Sequence, residues 1–61
     1  MAQLYTVKEA AAELRLSAAT VYALVENRKI RHIRFGQRIL FTPENLSDFI
    51  QAATVPAGGG A

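Results

Sequence analysis

Five of the seven lysines and arginines (Arg28, Lys29, Arg31, Arg34 and Arg38) stand between positions 28 and 38, with His32 among them and no acid. The acids lie outside that segment, Glu9, Glu13 and Glu26 before it and Glu44 and Asp48 after it. Such a block in a chain of formal charge only +2 suits a polyanion partner. It equally suits a solvated basic hairpin that protects a sheet edge from aggregation. Charge alone leaves both readings open. Just upstream stand Ser17, Thr20, Tyr22 and Asn27, whose hydroxyls and amide can hydrogen-bond base edges or phosphates. Ala18, Ala19 and Ala23 are interleaved with them. Small side chains at a helix start let a backbone approach closely, and the exposed amides there favour a phosphate. Ala19 or Ala23 could touch a thymine methyl, although helix propensity alone also accounts for alanines.

Catalytic chemistry is poorly supplied. His32 has Glu26 as its nearest acid in sequence, on a preceding helix, and no further ligand for a metal. It is expected beside a phosphate or in solvent. Glu9 and Glu13, one helical turn apart, are ordinary helix surface. There is no cysteine, and the only glycine run, Gly58-Gly59-Gly60, precedes no lysine or helix start. No nucleophile, base and oxyanion site can be assembled. The expectation is a protein that is not an enzyme and uses no cofactor.

These residues must be positioned by short elements. Thr6-Val7-Lys8-Glu9 has the form of a capping box, and Val7, Ala10, Ala11 and Leu14 recur at helical spacing, so a first helix is expected over residues 7–15. Ser17 caps a second helix after only Leu16. At about 100° per residue, Ala18, Val21, Leu24 and Val25 share one side of it. Ala19, Ala23 and Glu26 lie opposite, flanked by Thr20, Tyr22 and Asn27. Two one-faced helices joined so tightly make a helix-turn-helix rather than a helical hairpin.

Residues 30–41 read as a β-hairpin around Gly36. A two-residue loop, Gly36-Gln37, would pair Phe35 with Arg38 and Arg34 with Ile39, mixing apolar and charged side chains on both faces. A three-residue loop, Gly36-Gln37-Arg38, pairs Phe35 with Ile39 and Ile33 with Phe41. Four apolar side chains then share one face, and His32, Arg34 and Leu40 share the other. This second register is expected, although three-residue loops usually end rather than begin on glycine. Gln37 and Arg38 at the tip form a possible minor-groove probe, against the alternative of a solvated surface turn. Thr42 and Pro43 open a third helix, with Leu46, Phe49, Ile50 and Ala53 as its apolar stripe.

Sixty-one residues form one small domain. At 51% hydrophobic, the composition is too apolar for a disordered chain. No apolar run approaches the ~20 residues that span a bilayer, and no signal peptide is apparent. The expected division is a folded domain over residues 1–53 and a flexible tail over residues 54–61. The fold class expected is α+β: a small winged helix-turn-helix of three helices, with a two-stranded β-hairpin wing between the second and third.

Several segments in this order carry a resemblance. They are Leu4-Tyr5-Thr6-Val7-Lys8-Glu9-Ala10-Ala11, Leu16-Ser17 with Thr20-Val21-Tyr22, Ile33-Arg34-Phe35-Gly36, and Pro43-Glu44-Asn45-Leu46 with Phe49-Ile50. Their succession resembles the excisionase-type winged helix-turn-helix family of phages and mobile elements, also called recombination directionality factors. That family is related to the DNA-binding domains of MerR-type regulators. The resemblance covers about residues 4–50. It implies a second helix in the major groove and a wing on the adjacent minor groove. It also implies binding at attachment sites, often in neighbouring copies, which bends DNA and directs an integrase towards excision. Such a protein would work on DNA in the cytoplasm of a bacterial host. Ala23 departs from the family by replacing a common basic residue, and Arg31 replaces a frequent proline at the start of the wing. Arg28 replaces a common glycine after the second helix, so Asn27 is expected in the left-handed position instead. Together these shift positive charge from helix to wing.

The residues expected at a DNA interface are therefore Ser17, Ala18, Ala19, Thr20, Tyr22, Ala23, Asn27, Arg28, Lys29, Arg31, His32, Arg34, Gln37 and Arg38. Arg28, Lys29, Arg31 and Arg34 would hold phosphates, Ala19, Thr20, Tyr22 and Ala23 would face the major groove, and Arg38 would probe the minor groove. A small transcriptional regulator of the same fold, or an adaptor whose basic wing meets an acidic protein, are the rival readings.

Overall fold

The computed structural model describes residues 3–58. The elements run β1 (Tyr5–Thr6), α1 (Val7–Leu14), α2 (Ala18–Glu26), β2 (Ile33–Phe35), β3 (Arg38–Phe41) and α3 (Pro43–Ala53). This is a small α+β winged helix-turn-helix, with α1 and α2 as the motif and the β2–β3 hairpin as the wing between α2 and α3. The sheet has one strand more than expected. β1 joins it in the order β1-β3-β2, antiparallel throughout, with Tyr5 opposite Phe41 and Thr6 opposite Leu40. Two residues are too few for an alternating pattern to show in the sequence.

The helix starts follow from their caps. Thr6 Oγ1 accepts from the Glu9 amide at 3.1 Å while the Glu9 carboxylate accepts from the Thr6 amide at 2.9 Å. Ser17 Oγ accepts from the Thr20 amide at 3.1 Å. Thr42 and Asn45 cap each other's amides at 3.0 Å, ahead of Pro43 in the first helical turn. Each arrangement satisfies donors that a helix start leaves open.

The ends of α1 and α2 are alike, and both rest on arginine. Arg15 takes φ 58, ending α1 one residue earlier than expected, and the Leu16 amide returns to the Ala11 carbonyl at 2.9 Å. Arg28 takes φ 55, and the Lys29 amide returns to the Leu24 carbonyl at 2.8 Å. The left-handed residue is therefore Arg28 and not Asn27, which stays at φ −90. Asn27 instead donates its side-chain amide to the Ala23 carbonyl at 2.9 Å, which ties it to the helix end.

Val7, Ala10 and Ala11 of α1 meet Val21 and Val25 of α2, and Ile30, Phe41 and Leu46 close the core around them. Alanine at positions 10 and 11 brings the two helices close, so little volume is needed to fill the gap. Ile30, in the connection after α2, is as buried as the helix residues. In α3 only Leu46 is buried and Phe49 half-buried, whereas Ile50 (53% exposed) and Ala53 face solvent. The stripe expected on that helix thus runs on beyond the core it serves. Residues 54–58 are exposed, and residues 59–61 of the expected tail lie outside the described residues.

The wing corrects the expected register. Phe35 pairs with Arg38, Arg34 with Ile39 and Ile33 with Leu40, around a two-residue Gly36-Gln37 loop. Gly36 has φ 58, fitting the hairpin turn that takes glycine at its first central position. Turn chemistry decided the register over the tidier division of faces. Ile39 and Phe41 point inward with Tyr5 opposite Phe41, while Ile33, Phe35 and Leu40 point outward. Phe35, expected in the core, is 58% exposed. The core reaches no further up the hairpin than Ile39, so burying more of β2 would bring little.

Candidate nucleic-acid interface

The outward face of α2 is polar and open. Ala19, Thr20, Tyr22, Ala23 and Asn27 are exposed, Tyr22 by 52%, and Ala18 is half-buried because it packs on the core. Val21 and Val25 hold the opposite side of the helix in place, which fixes the direction in which these side chains project. Ser17 Oγ also lies 2.8 Å from Thr20 Oγ1. The Thr20 hydroxyl is thereby oriented, and it keeps hydrogen-bonding capacity for a partner. The Val21 amide bonds to the Ser17 carbonyl at 3.1 Å, so the free donors at this helix start are the amides of Ala18 and Ala19.

The cations surround a concave surface beyond the C-terminal end of α2. Arg28, Lys29, Arg31 and Arg34 line an open groove of about 790 Å³, closed on the other side by Asn45, Asp48, Phe49 and Ala52 of α3. Glu26 and Asp48 line it too, so the groove is mixed in charge, with cations in the majority. Sequence reasoning did not foresee that α3 would bring Asp48 here. No periodic signal marks a polar residue that only tertiary packing brings near.

His32 is half-buried and structural in part. Its Nδ1 lies 3.0 Å from the Ile30 carbonyl, and its ring centroid is 6.5 Å from that of Phe41 at 59°. A carbonyl only accepts, so Nδ1 carries the proton of that bond. A phosphate contact through Nε2 would then need the doubly protonated ring.

The hairpin register sends the two wing arginines to opposite faces. Arg34, opposite Ile39, lies on the side that lines the groove. Arg38 lies on the outer face beside Phe35, and it is the first residue of β3 rather than the last of the loop. Gly36 and Gln37 alone form the tip. The leading glycine of the loop was the signal for this arrangement. Among the described residues, no group of three His, Asp or Glu side chains is placed to hold a metal, and no helix is long and apolar enough to cross a membrane.

Two packed helices joined by a short turn, with an open second-helix face and followed by a hairpin bearing arginine, define a winged helix-turn-helix protein. The sequence match agrees. The chain matches the family described as Helix-turn-helix domain over residues 4–54 and belongs to it. This is a family of DNA-binding domains that includes excisionase-like proteins. No curated protein and no solved structure matches the chain.

Proposed function

We propose that this protein binds duplex DNA and acts as an excisionase, bending attachment-site DNA and directing an integrase towards excision. The observation that carries DNA binding is geometric. The groove takes its first lining residues, Val25 and Glu26, from the C-terminal end of α2, whose outward face is exposed, with Arg28 just beyond it, and the wing follows in the chain and adds Arg34 to the lining. Ala19, Thr20, Tyr22 and Ala23 would face the major groove, with Ser17 and Ala18 at the helix start against the backbone. Arg28, Lys29, Arg31 and Arg34 would hold phosphates, with Asn27 and His32 beside them. Arg38, next to Gln37, would enter the minor groove. Without lysine or arginine on the face of α2, affinity leans on phosphates and DNA shape rather than on bidentate guanine contacts. The excisionase role, neighbouring copies on DNA and action in a bacterial cytoplasm follow from the family resemblance set out above.

The electrostatic part is tested by titrating a labelled duplex at several salt concentrations. Four phosphate contacts give a slope of log affinity against log salt of about −3.6. A flat salt response would remove the DNA-binding reading and favour an adaptor. The role is tested on the element's own attachment site, by footprinting, by circular-permutation bending and by excision with the cognate integrase. Operator binding and repression with no effect on excision would make the protein a transcriptional regulator of the same fold.

A further inference from the structure

Beside Arg38, the outer face of the wing carries apolar side chains that neither the core nor the contacts above use. The pairs Ile33–Leu40 and Phe35–Arg38 turn all four side chains to this face. Ile33 and Leu40 are half-buried, while Phe35 stands 58% exposed beside the loop. Its partner Arg38 lies directly across the ladder, at the ~5 Å Cβ spacing of a cross-strand pair. Gly36 keeps the tip slim, and a Cβ built there would meet no atom within 4 Å. One phenyl ring with two half-covered aliphatic neighbours is far smaller than the roughly 800 Å² per partner of a stable protein interface. A second copy of the chain is therefore a poor fit. The charge beside the ring favours another occupant. Positions 28–38 hold no acid, so along the hairpin the patch passes from apolar to cationic. The minor groove offers the complementary pattern, since apolar deoxyribose faces form its walls and its interior is strongly negative.

We propose that Phe35 and Arg38 act as one composite contact for the minor groove, Arg38 entering it and Phe35 packing on the deoxyribose wall alongside. This rests on the reading of the wing as a DNA-contacting element. Phe35 would then be an affinity-determining residue whose contribution is apolar, added to a site otherwise held by charge.

The two kinds of contribution separate in a salt series. The full chain, Phe35→Ala, Phe35→Leu and Arg38→Ala are titrated against a labelled duplex with a central A·T tract, with circular dichroism to follow folding. Phe35→Ala is expected to bind roughly tenfold more weakly, the size of losing the exposed part of a phenyl ring from a contact. Its salt slope should match the parent's, because no charge is lost. Phe35→Leu should regain most of the affinity. Arg38→Ala should instead flatten the slope by about 0.9. Parental affinity in Phe35→Ala would overturn the proposal, as would a loss that Phe35→Leu shares in full. Sedimentation that finds the parent dimeric and Phe35→Ala monomeric would assign the face to a second copy and overturn it too. A parent that binds no duplex would overturn the DNA-binding reading together with the proposal. Parental binding that is indifferent to Phe35 overturns the proposal alone.

Discussion

Replacing Phe41 and Phe35 by alanine, one at a time, should give opposite results although both are wing phenylalanines. Phe41 is fully buried, packed between Tyr5 on β1 and the helices, and is one of the two largest side chains with almost no exposure. Phe41→Ala removes the ring and leaves a cavity that a thin core cannot close, at a cost of about 3–5 kcal/mol. A domain of 61 residues has about 3–9 kcal/mol in total at ordinary stability per residue. The variant should therefore lose much of its stability, and it should be largely unfolded at 25 °C where the parent has less than about 5 kcal/mol. Phe35 keeps 58% of its surface in water, so less than half of a side chain worth about 1.5–3 kcal/mol is at stake. Phe35→Ala should cost about 1 kcal/mol, a fall in Tm of roughly 4–8 °C. Urea titrations followed by circular dichroism at 25 °C measure both, with Phe41→Leu supplying a variant that keeps a native baseline. Comparable losses at the two positions would refute the two-residue loop and restore the register in which Phe35 opposes Ile39. A mild Phe41→Ala would refute the placement of the core itself.

Arg28→Gly should raise stability while weakening DNA binding. It relieves a left-handed arginine worth about 1–2 kcal/mol, offset in part by glycine's greater freedom when unfolded. Thermal melts should show the gain, and the salt slope should flatten by about 0.9. Gly36→Ala places a methyl in open space at φ 58, so its cost is conformational alone, about 1–2 kcal/mol by chemical denaturation, with the fold kept. Arg34→Ala should weaken cognate and scrambled duplexes alike at one fixed salt concentration, whereas Arg38→Ala should harm the cognate site more, and equal losses for both would make Arg38 another phosphate clamp. A chain ending after Thr54, which keeps that residue's hydroxyl on the Ile50 carbonyl, should melt within a few degrees of the parent. A collapse in Tm would mean that the tail packs on the domain.

Local interactions made much of this protein legible from its residues. Thr6 with Glu9, Ser17 and Thr42 with Pro43 announce three helix starts because a cap and its amide lie within one turn of chain. The spacing of Val7, Ala10 and Ala11, and of Val21 and Val25, assigns the buried faces because helix geometry fixes them without reference to the rest of the fold. The exposed row on α2 follows from the same geometry. Tertiary structure decided what depends on segments distant in sequence. Periodicity does not show a two-residue strand, and β1 exists because Tyr5 finds Phe41 across the sheet. The register of β2 was set by the turn that Gly36 allows and by how far the core extends, since an outward Phe35 costs little where there is nothing to pack against. The side of the wing that Arg34 and Arg38 occupy follows from that register. Position 28 takes the left-handed backbone despite being arginine, because closing α2 onto Ile30 requires it there. Asp48 reaches the basic groove only because Leu46 anchors α3 under the sheet.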